Sequence, residues 1–298
     1  TVEKIEILGD SAENIIEKGN NATVKISYSE KSEEDRKLKI KLTDYYDDTV
    51  MEKDILVSSG EILSALQLPS LDIGWHKLSV YEEKECLNYA YLCVVKPLNE
   101  RKQNYTNERF GMDATLGNLG FRDSVEDLCK SLRLAGVQWV RERLDTLGYS
   151  ESDGSYSIDN AGNSKYAYTM LKKYGLKVHP MITGSPEYLM TDEAKGDFVS
   201  SDLIGLYNLY KQMGDDYVGL VDSWELQNEP EAVYDLSPSE TGDKFHNMMK
   251  AMSIGFQDSK SEALITTSGF APVNANILDL FFRNETYKYV DVLTHHAH

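Results

Sequence analysis

The stretch Trp224-Glu225-Leu226-Gln227-Asn228-Glu229-Pro230-Glu231 decides how the rest of the chain reads. A largely apolar run, Val221 to Gln227, stops abruptly in an Asn-Glu-Pro turn. Pro230 has no N–H to donate and disfavours helical geometry for the residue before it. The run therefore reads as a short buried strand with the Glu229 carboxylate at its tip. A carboxyl group held there by fixed backbone, beside an amide, suits general acid/base chemistry. That role needs a positioned proton donor, and partial burial can raise its pKa. A solvated glutamate at a strand-to-loop junction is the plainer reading of eight residues, so the surrounding chain has to decide.

The 298 residues are 41% hydrophobic and 27% charged, a globular composition with room for about two domains. No apolar run approaches the ~20 residues of a membrane span. Lys plus Arg number 31 against 49 Asp plus Glu, giving a net charge of −18. Such a field repels polyphosphate, so nucleic acid is not an expected partner. Nor is there a basic amphipathic segment for an anionic membrane surface. Cys86, Cys93 and Cys129 offer neither metal-ligand spacing nor a disulfide framework. A Cys86–Cys93 pair across a hairpin stays open beside the reading of free, buried thiols. The chain starts at Thr1 with neither Met nor a signal peptide, which reads as a cut or processed start. The compartment is not legible from it, and a secreted or cell-surface setting is the expectation.

Residues 1–97 carry short alternating runs between polar turns: Val2–Leu8, Ala22–Tyr28, Leu38–Thr43, Asp54–Val57, Trp75–Tyr81 and Tyr89–Val95. In the last run Ala90, Leu92 and Val94 face one way, and Tyr89, Tyr91, Cys93 and Val95 the other. Period-two patterning at this spacing predicts a small all-β, immunoglobulin-like sandwich. Trp75, at a strand start, is expected to plug its core; the alternative use of its aromatics is a sugar platform. Residues 98–109 turn polar and read as a linker.

From Phe110 onward strands alternate with helices. Strands are expected at Phe110–Thr115, Val137–Leu144, Leu176–Thr183, Val221–Gln227, Leu264–Ser268 and Val290–Thr294. Helices are expected at Arg122–Ala135, Lys165–Tyr174, Asp202–Met213, Ser239–Ser259 and Asn276–Arg283. The first helix would bury Val125, Leu128, Leu132 and Leu134. This α/β pattern implies a parallel sheet covered by helices, either doubly wound or an eight-fold barrel. No glycine-rich dinucleotide turn follows the first strand. Polar residues at strand ends favour the (β/α)8 TIM barrel, whose sites gather at the C-terminal face.

Three segments resemble the clan of retaining glycoside hydrolases built on (β/α)8 barrels with the acid/base Glu after strand four. Ala135-Gly136-Val137-Gln138-Trp139-Val140-Arg141-Glu142 is similar to the clan's second strand. Trp224 to Glu231 is similar to its fourth, where Asn precedes the acid/base. Tyr289-Val290-Asp291-Val292-Leu293-Thr294-His295-His296-Ala297-His298 is similar to its sixth, although His298 stands where the clan commonly has Tyr. The nearest likenesses are the xylosidase-like and cellulase-like families, thirty-nine and five. The resemblance implies an oligo- or polysaccharide substrate and no cofactor. Glu229 would be the acid/base and Asn228 would bond the sugar 2-OH. Arg141 would keep a nucleophilic carboxylate ionised, and His296 would line the subsite near strand six. Asp113, Asn118, Arg141, Asn228, Glu229 and His296 should converge on one cleft. Arg141 has a plainer role open to it, pairing with Glu225, and Arg143 shares its strand parity. His179 and Trp224 read as core.

The clan's nucleophile ends strand seven, and Phe110 to His298 supplies only about six strand-helix units. The expectation is therefore an inactive glycosidase fragment whose nucleophile lies beyond His298. Two other classes stay open. One is a non-catalytic carbohydrate-binding barrel. The other is a metal-dependent barrel hydrolase using His295, His296 and His298, against which no His-x-His follows the first strand.

Overall fold

The computed structural model describes residues 2–9, 14–101, 109–117, 124–145, 164–183, 189, 200, 202–232, 240–271 and 275–297. The chain divides into two compact units, Thr1–Asn107 with Lys130–Gly136, and Glu108–Cys129 with Val137–His298.

The first unit is built from β1 (Val2–Gly9), β2 (Ile15–Glu17), β3 (Ala22–Tyr28), β4 (Arg36–Asp44), β5 (Thr49–Val57), β6 (Leu63–Gln67), β7 (Gly74–Glu82) and β8 (Glu85–Val95). They form a three-stranded sheet, β1-β3-β6, and a five-stranded sheet, β2-β8-β7-β4-β5. In β3 every second residue is buried, from Ala22 to Tyr28. Val24 and Ile26 from one sheet join Ile40, Leu42, Leu78, Val80, Leu92 and Val94 from the other in a single apolar cluster. Each such side chain contributes roughly 1.5–3 kcal/mol through its burial. The edge strands β2 and β6 escape the sequence pattern, β2 because it has three residues and β6 because it buries only Leu66. Trp75 does not plug the core. His76, Leu78 and Val80 of β7 are buried, and alternation turns half-buried Trp75 to the opposite face, where Ser79 is the one buried residue of the strand. The cysteines are all free, and only Cys129 is a buried thiol; Cys86 is exposed and Cys93 half-buried.

The second unit, together with the stretch of α1 from Lys130 onward that belongs to the first, alternates strand and helix: β9 (Gly111–Asp113), α1 (Val125–Ala135), β10 (Trp139–Asp145), α2 (Ser164–Lys173), β11 (Lys177–Thr183), α3 (Leu203–Asp216), β12 (Ser223–Glu225), α4 (Glu240–Gln257), β13 (Leu264–Thr266) and α5 (Ala275–Arg283). Its five strands are parallel and sit in sequence order, β13-β12-β11-β10-β9, with no reversal. Among the described residues the sheet does not close into a barrel. The expected sixth strand, Val290–Thr294, is reduced to single parallel bridges, Thr266 to Val292 and Phe270 to His295. A few backbone bonds remain, among them Thr267 N–H to the Val292 carbonyl at 2.9 Å, and side chains supplement them. The Thr294 N–H donates to Thr267 Oγ1, and Thr294 Oγ1 donates to the Thr267 carbonyl, each at 2.8 Å.

Helix α1 buries Val125, Cys129 and Leu132. Cys129 takes the position one turn beyond Val125, while Leu128 and Leu134 stay half-buried. The helix layer is anchored by Trp224 of β12, which is fully buried and stacks on Phe256 of α4 at 4.4 Å and 14°. Helices α3 and α4 approach closely at Gly255, where an added Cβ would stand 2.5 Å from the Tyr207 carbonyl oxygen.

Candidate active site

Parallel register sets one row of polar side chains across the sheet. Arg141 of β10 lies opposite Asp113 of β9 on one side and His179 of β11 on the other. Residues directly opposite in a ladder share a face, so a carboxylate, a guanidinium and an imidazole line up there. Glu225, at the end of β12, lies opposite Met181, two residues beyond that row on the same face, and its side chain reaches back to it. Its carboxylate accepts Arg141 Nε and Nη2, both at 2.7 Å, and meets His179 Nε2 at 3.0 Å. The other ring nitrogen of His179 lies 2.6 Å from Ser223 Oγ. Arg141 Nη1 donates to Asp113 Oδ2 at 2.7 Å, and Arg143 donates to both oxygens of the same carboxylate.

Two cations thus face two carboxylates. Burial pushes Glu225 up, but the hydrogen bonds from Arg141 and His179 prevail and hold it at about 2. Asp113 is likewise raised by burial and lowered further by Arg143 and Arg141, ending below its ordinary value. Both carboxylates are therefore anionic at neutral pH. Among groups of the described residues that titrate, neither of these two is suited to deliver a proton.

Glu229 stands apart from that row chemically. Beyond β12 the chain runs through Gln227 at φ 90° and Glu229 at φ 43°, two non-glycine residues in left-handed backbone. Such geometry costs on the order of 1–3 kcal/mol per residue and is retained where surrounding structure enforces it. Here the enforcement comes from the segment after β13. The Glu229 N–H donates to the Gly269 carbonyl at 3.1 Å, and Asn228 bridges to Gly269. Pro230 then opens a short 3-10 turn, Pro230–Ala232. The Glu229 Oε1 oxygen lies 2.5 Å from His296 Nδ1. His296 is itself fixed by its N–H, which donates to the Phe270 carbonyl at 2.7 Å. Gly269 makes room for both: a Cβ there would collide with the His296 ring and lie 2.9 Å from Glu225 Oε1.

Asn228 connects the two groups, since its Oδ1 accepts Arg141 Nη2 at 2.7 Å. Asp113, Arg141, Asn228, Glu229 and His296 thus form one chain of neighbours through these bonds and the Asn228–Glu229 peptide. Asn118 and His298 lie outside the described residues. Arg141 has the Glu225 pairing that was open to it, and Arg143 is held on the same Asp113. His179 is no plain core residue, because it bridges Ser223 and Glu225 and lines a cavity. That cavity, of about 660 Å3, runs along the sheet past Met112, Asp113, Trp139, Arg141, His179 and Thr266. Glu229, Asn228 and His296 are not among its lining residues.

Sequence reasoning missed three contributors or read them only in part. Gly269 sits in an unremarkable Ser-Gly-Phe. Glu225 could be read only as a partner for Arg141, not as the anion shared with His179. Glu142 is fully buried on the opposite parity from Arg141 and accepts the N–H groups of Leu116 and Gly117, both at 3.0 Å. Burial raises its pKa against those two bonds. Its side chain anchors Leu116 and Gly117 after β9, and an acid between two arginines was the available signal. Among the described residues, no group of His, Cys, Asp and Glu is arranged to hold a metal ion.

No family model matches the chain, and no curated protein matches it. Solved structures do. A family 39 glycoside hydrolase from the gut symbiont Bacteroides cellulosilyticus WH2 superposes with a TM-score of 0.70 at 14% identity, over 97% of this chain. The chain spans little more than half of that protein, 56% of its length. A glycoside hydrolase of family 5, subfamily 18, from Streptomyces cattleya, solved with GlcNAc, has a TM-score of 0.45 at 14% identity and covers 53% of this chain and 44% of its own. The structural neighbours are thus glycoside hydrolases, and the chain shares the fold of the first across nearly its full length.

Proposed function

We propose that this chain is the larger part of a retaining glycoside hydrolase acting on β-linked oligo- or polysaccharides, with Glu229 as general acid/base. The observation that carries this reading is the Asn228–Glu229 pair, with left-handed backbone at Gln227 and Glu229, held from both sides by Arg141 and His296. In the first step Glu229 would protonate the leaving glycosidic oxygen while a nucleophilic carboxylate, beyond His298, forms a glycosyl-enzyme bond. In the second, Glu229 would take a proton from water as that water attacks and frees the nucleophile. Asn228 would bond the sugar 2-OH. A guanidinium only donates, so the atom facing Arg141 must be the amide oxygen, which turns the Asn228 NH2 away from the cation and toward substrate. Asp113 would line the cavity along the sheet, and His296 would flank the sugar beside Glu229.

The domain reading goes with it: an immunoglobulin-like accessory sandwich over residues 1–97, a linker over 98–109, and a partial (β/α)8 barrel of about six units over 110–298. Sequential strand order supports a barrel over a doubly wound sheet, whose order reverses at its switch point. By this reading the 298 residues alone hydrolyse nothing appreciable.

A non-catalytic carbohydrate-binding barrel is the second reading. It draws on the commitment of Glu225 and Asp113 to arginines, which leaves no second carboxylate of that row for chemistry. The experiment is leaving-group dependence in the full-length protein. Glu229→Ala should slow glycosides with poor leaving groups about 10²–10⁴-fold and spare activated aryl glycosides in the first step. Azide should then restore turnover, because a small anion attacks without needing a base. An effect within about threefold on every substrate would refute the role.

A further inference from the structure

The five-stranded sheet of the first unit carries aromatic rings on the face turned away from its core. Strands β7 and β8 pair Trp75 with Cys93, Lys77 with Tyr91 and Ser79 with Tyr89, which puts Trp75, Tyr89 and Tyr91 on one side. The Tyr91 ring lies 4.9 Å from Trp75, inclined at 34°, and 5.2 Å from Tyr89. Tyr45 joins at 6.2 Å from Trp75, and Tyr46 at 5.5 Å from Tyr45. Tyr45, Tyr46, Tyr89 and Tyr91 are 72%, 80%, 50% and 46% exposed. The tip that holds the first two is built by its own bonds. The Asp44 carboxylate accepts the N–H groups of Tyr46 and Asp48, at 2.9 and 3.0 Å, and Asp47 turns the chain at φ 66°. Rings presented this way add little to the core, and a contiguous exposed patch of this kind marks a binding surface.

The chemistry of the patch selects its occupant. All five side chains are aromatic and uncharged, and four bring a phenol. Lys77, beside them, holds its ammonium 4.6 Å above the Tyr89 ring. A chain charge of −18 disfavours polyanions such as nucleic acid and anionic membrane. An uncharged polymer with flat C–H faces and hydroxyl edges complements both features, because the electron-rich ring faces meet its C–H groups. Its hydroxyls would meet phenols and Lys77. We propose that this face is a second carbohydrate-binding site, taking a stretch of neutral polysaccharide. The proposal rests on the glycosidase reading for its ligand class, and a tethered polymer would raise the effective substrate concentration at the catalytic site.

The test is native electrophoresis of the whole chain through gels cast with hydroxyethyl cellulose, arabinoxylan or galactomannan. At least one polymer should retard the protein. Trp75→Ala and Tyr45→Ala should each weaken the apparent affinity at least about tenfold, a stacking loss of the size expected for an anchor ring. Asn228→Ala should leave retardation in place. Tyr45 sits on an exposed turn, so its variant stays folded and keeps the test decisive if Trp75→Ala does not. Retardation by none of the polymers, or retardation that survives both aromatic substitutions, would overturn the proposal. Loss in Asn228→Ala alone would do the same, since binding would then belong to the barrel. So would a dimer in sedimentation that Tyr45→Ala dissociates, because a second copy would be the occupant. The glycosidase reading fails by a different result, absent turnover in the full-length protein, which leaves the gel shift unaffected.

Discussion

Arg141 Nη2 donates to Asn228 Oδ1 at 2.7 Å, joining residues 87 apart in sequence. The same nitrogen also reaches Glu225 Oε1 at 2.7 Å, so the amide's orientation depends on a carboxylate three residues before it. Arg141 therefore acts as a clamp in this structure, with Asp113 gripping its third nitrogen. Its expected role, keeping a nucleophile ionised, would have to be shared with three acceptors already in place.

That clamp predicts unequal costs at position 141. Arg141→Ala leaves Glu225 buried without its main partner and should destabilise the protein by roughly 3–5 kcal/mol. Arg141→Lys keeps the charge but loses the planar fork, so it should rescue only part of this. Urea unfolding measures both; an alanine variant within about 1 kcal/mol of the parent would show that the cluster does not hold the sheet.

Acid should lower the protein's stability over two pH windows. Burial, with Lys250 adding to it, holds His246 down at about 4 from 6.5, and Glu225 is held at about 2 from 4.5. Both folded values lie below the unfolded ones. Each contribution is therefore complete above the unfolded pKa and lost as pH falls through the folded one. The His246 contribution should fade between pH 6.5 and 4, and the Glu225 contribution, on the order of 3 kcal/mol, between 4.5 and 2. Thermal unfolding from pH 7 to 2.5 reads this, and Glu225→Gln should flatten the lower limb. An unchanged profile in that variant would contradict the assignment.

Gly269→Ala should disturb the site more than the fold. The new methyl would collide with the His296 ring, an exchangeable contact, and approach the Glu225 carboxylate. The expected loss is about 1–3 kcal/mol, as for overpacking elsewhere, together with displacement of His296 from Glu229. Ring chemical shifts of His296 would show the displacement; unchanged shifts would mean the backbone absorbs the methyl.

Thiol reactivity should separate the cysteines. Burial pushes Cys129 up to about 12, and nearby Glu142 adds to it. In native protein iodoacetamide should label exposed Cys86 and leave Cys129 untouched until denaturant is added. Mass spectrometry of the peptides checks this, and rapid native labelling of Cys129 would show that α1 opens locally.

Much of the architecture is legible because local pattern carries it. Ala22–Tyr28 alternates cleanly and is the strand β3 without a residue of difference. The helix expected over Lys165–Tyr174 is observed over Ser164–Lys173, where Ala167, Tyr168 and Leu171 recur on one face. The strand expected to Gln227 ends two residues early, at Glu225, because Gln227 turns into left-handed backbone; Glu229, before Pro230, is left-handed too and not extended as the proline alone would favour.

What the chain could not announce was decided by contacts distant in sequence. Alternation says that Trp75 and His76 face opposite ways, but only the packed sheet shows which way is in. A run such as Val290–Thr294 looks like a strand, yet the Thr267 and Thr294 hydroxyls compete for the ladder's partners once the segments meet. The Glu229 side chain was singled out by its neighbours in sequence. Its left-handed backbone and its contact with His296 exist only because Gly269, without a Cβ, lets two segments close on it. Residue types and period are local properties, so sequence determined the elements and the candidate acid. Hydrogen-bond partners and steric room are properties of chain segments brought together, so tertiary structure alone decided that arginines hold Glu225 and Asp113 while His296 meets Glu229.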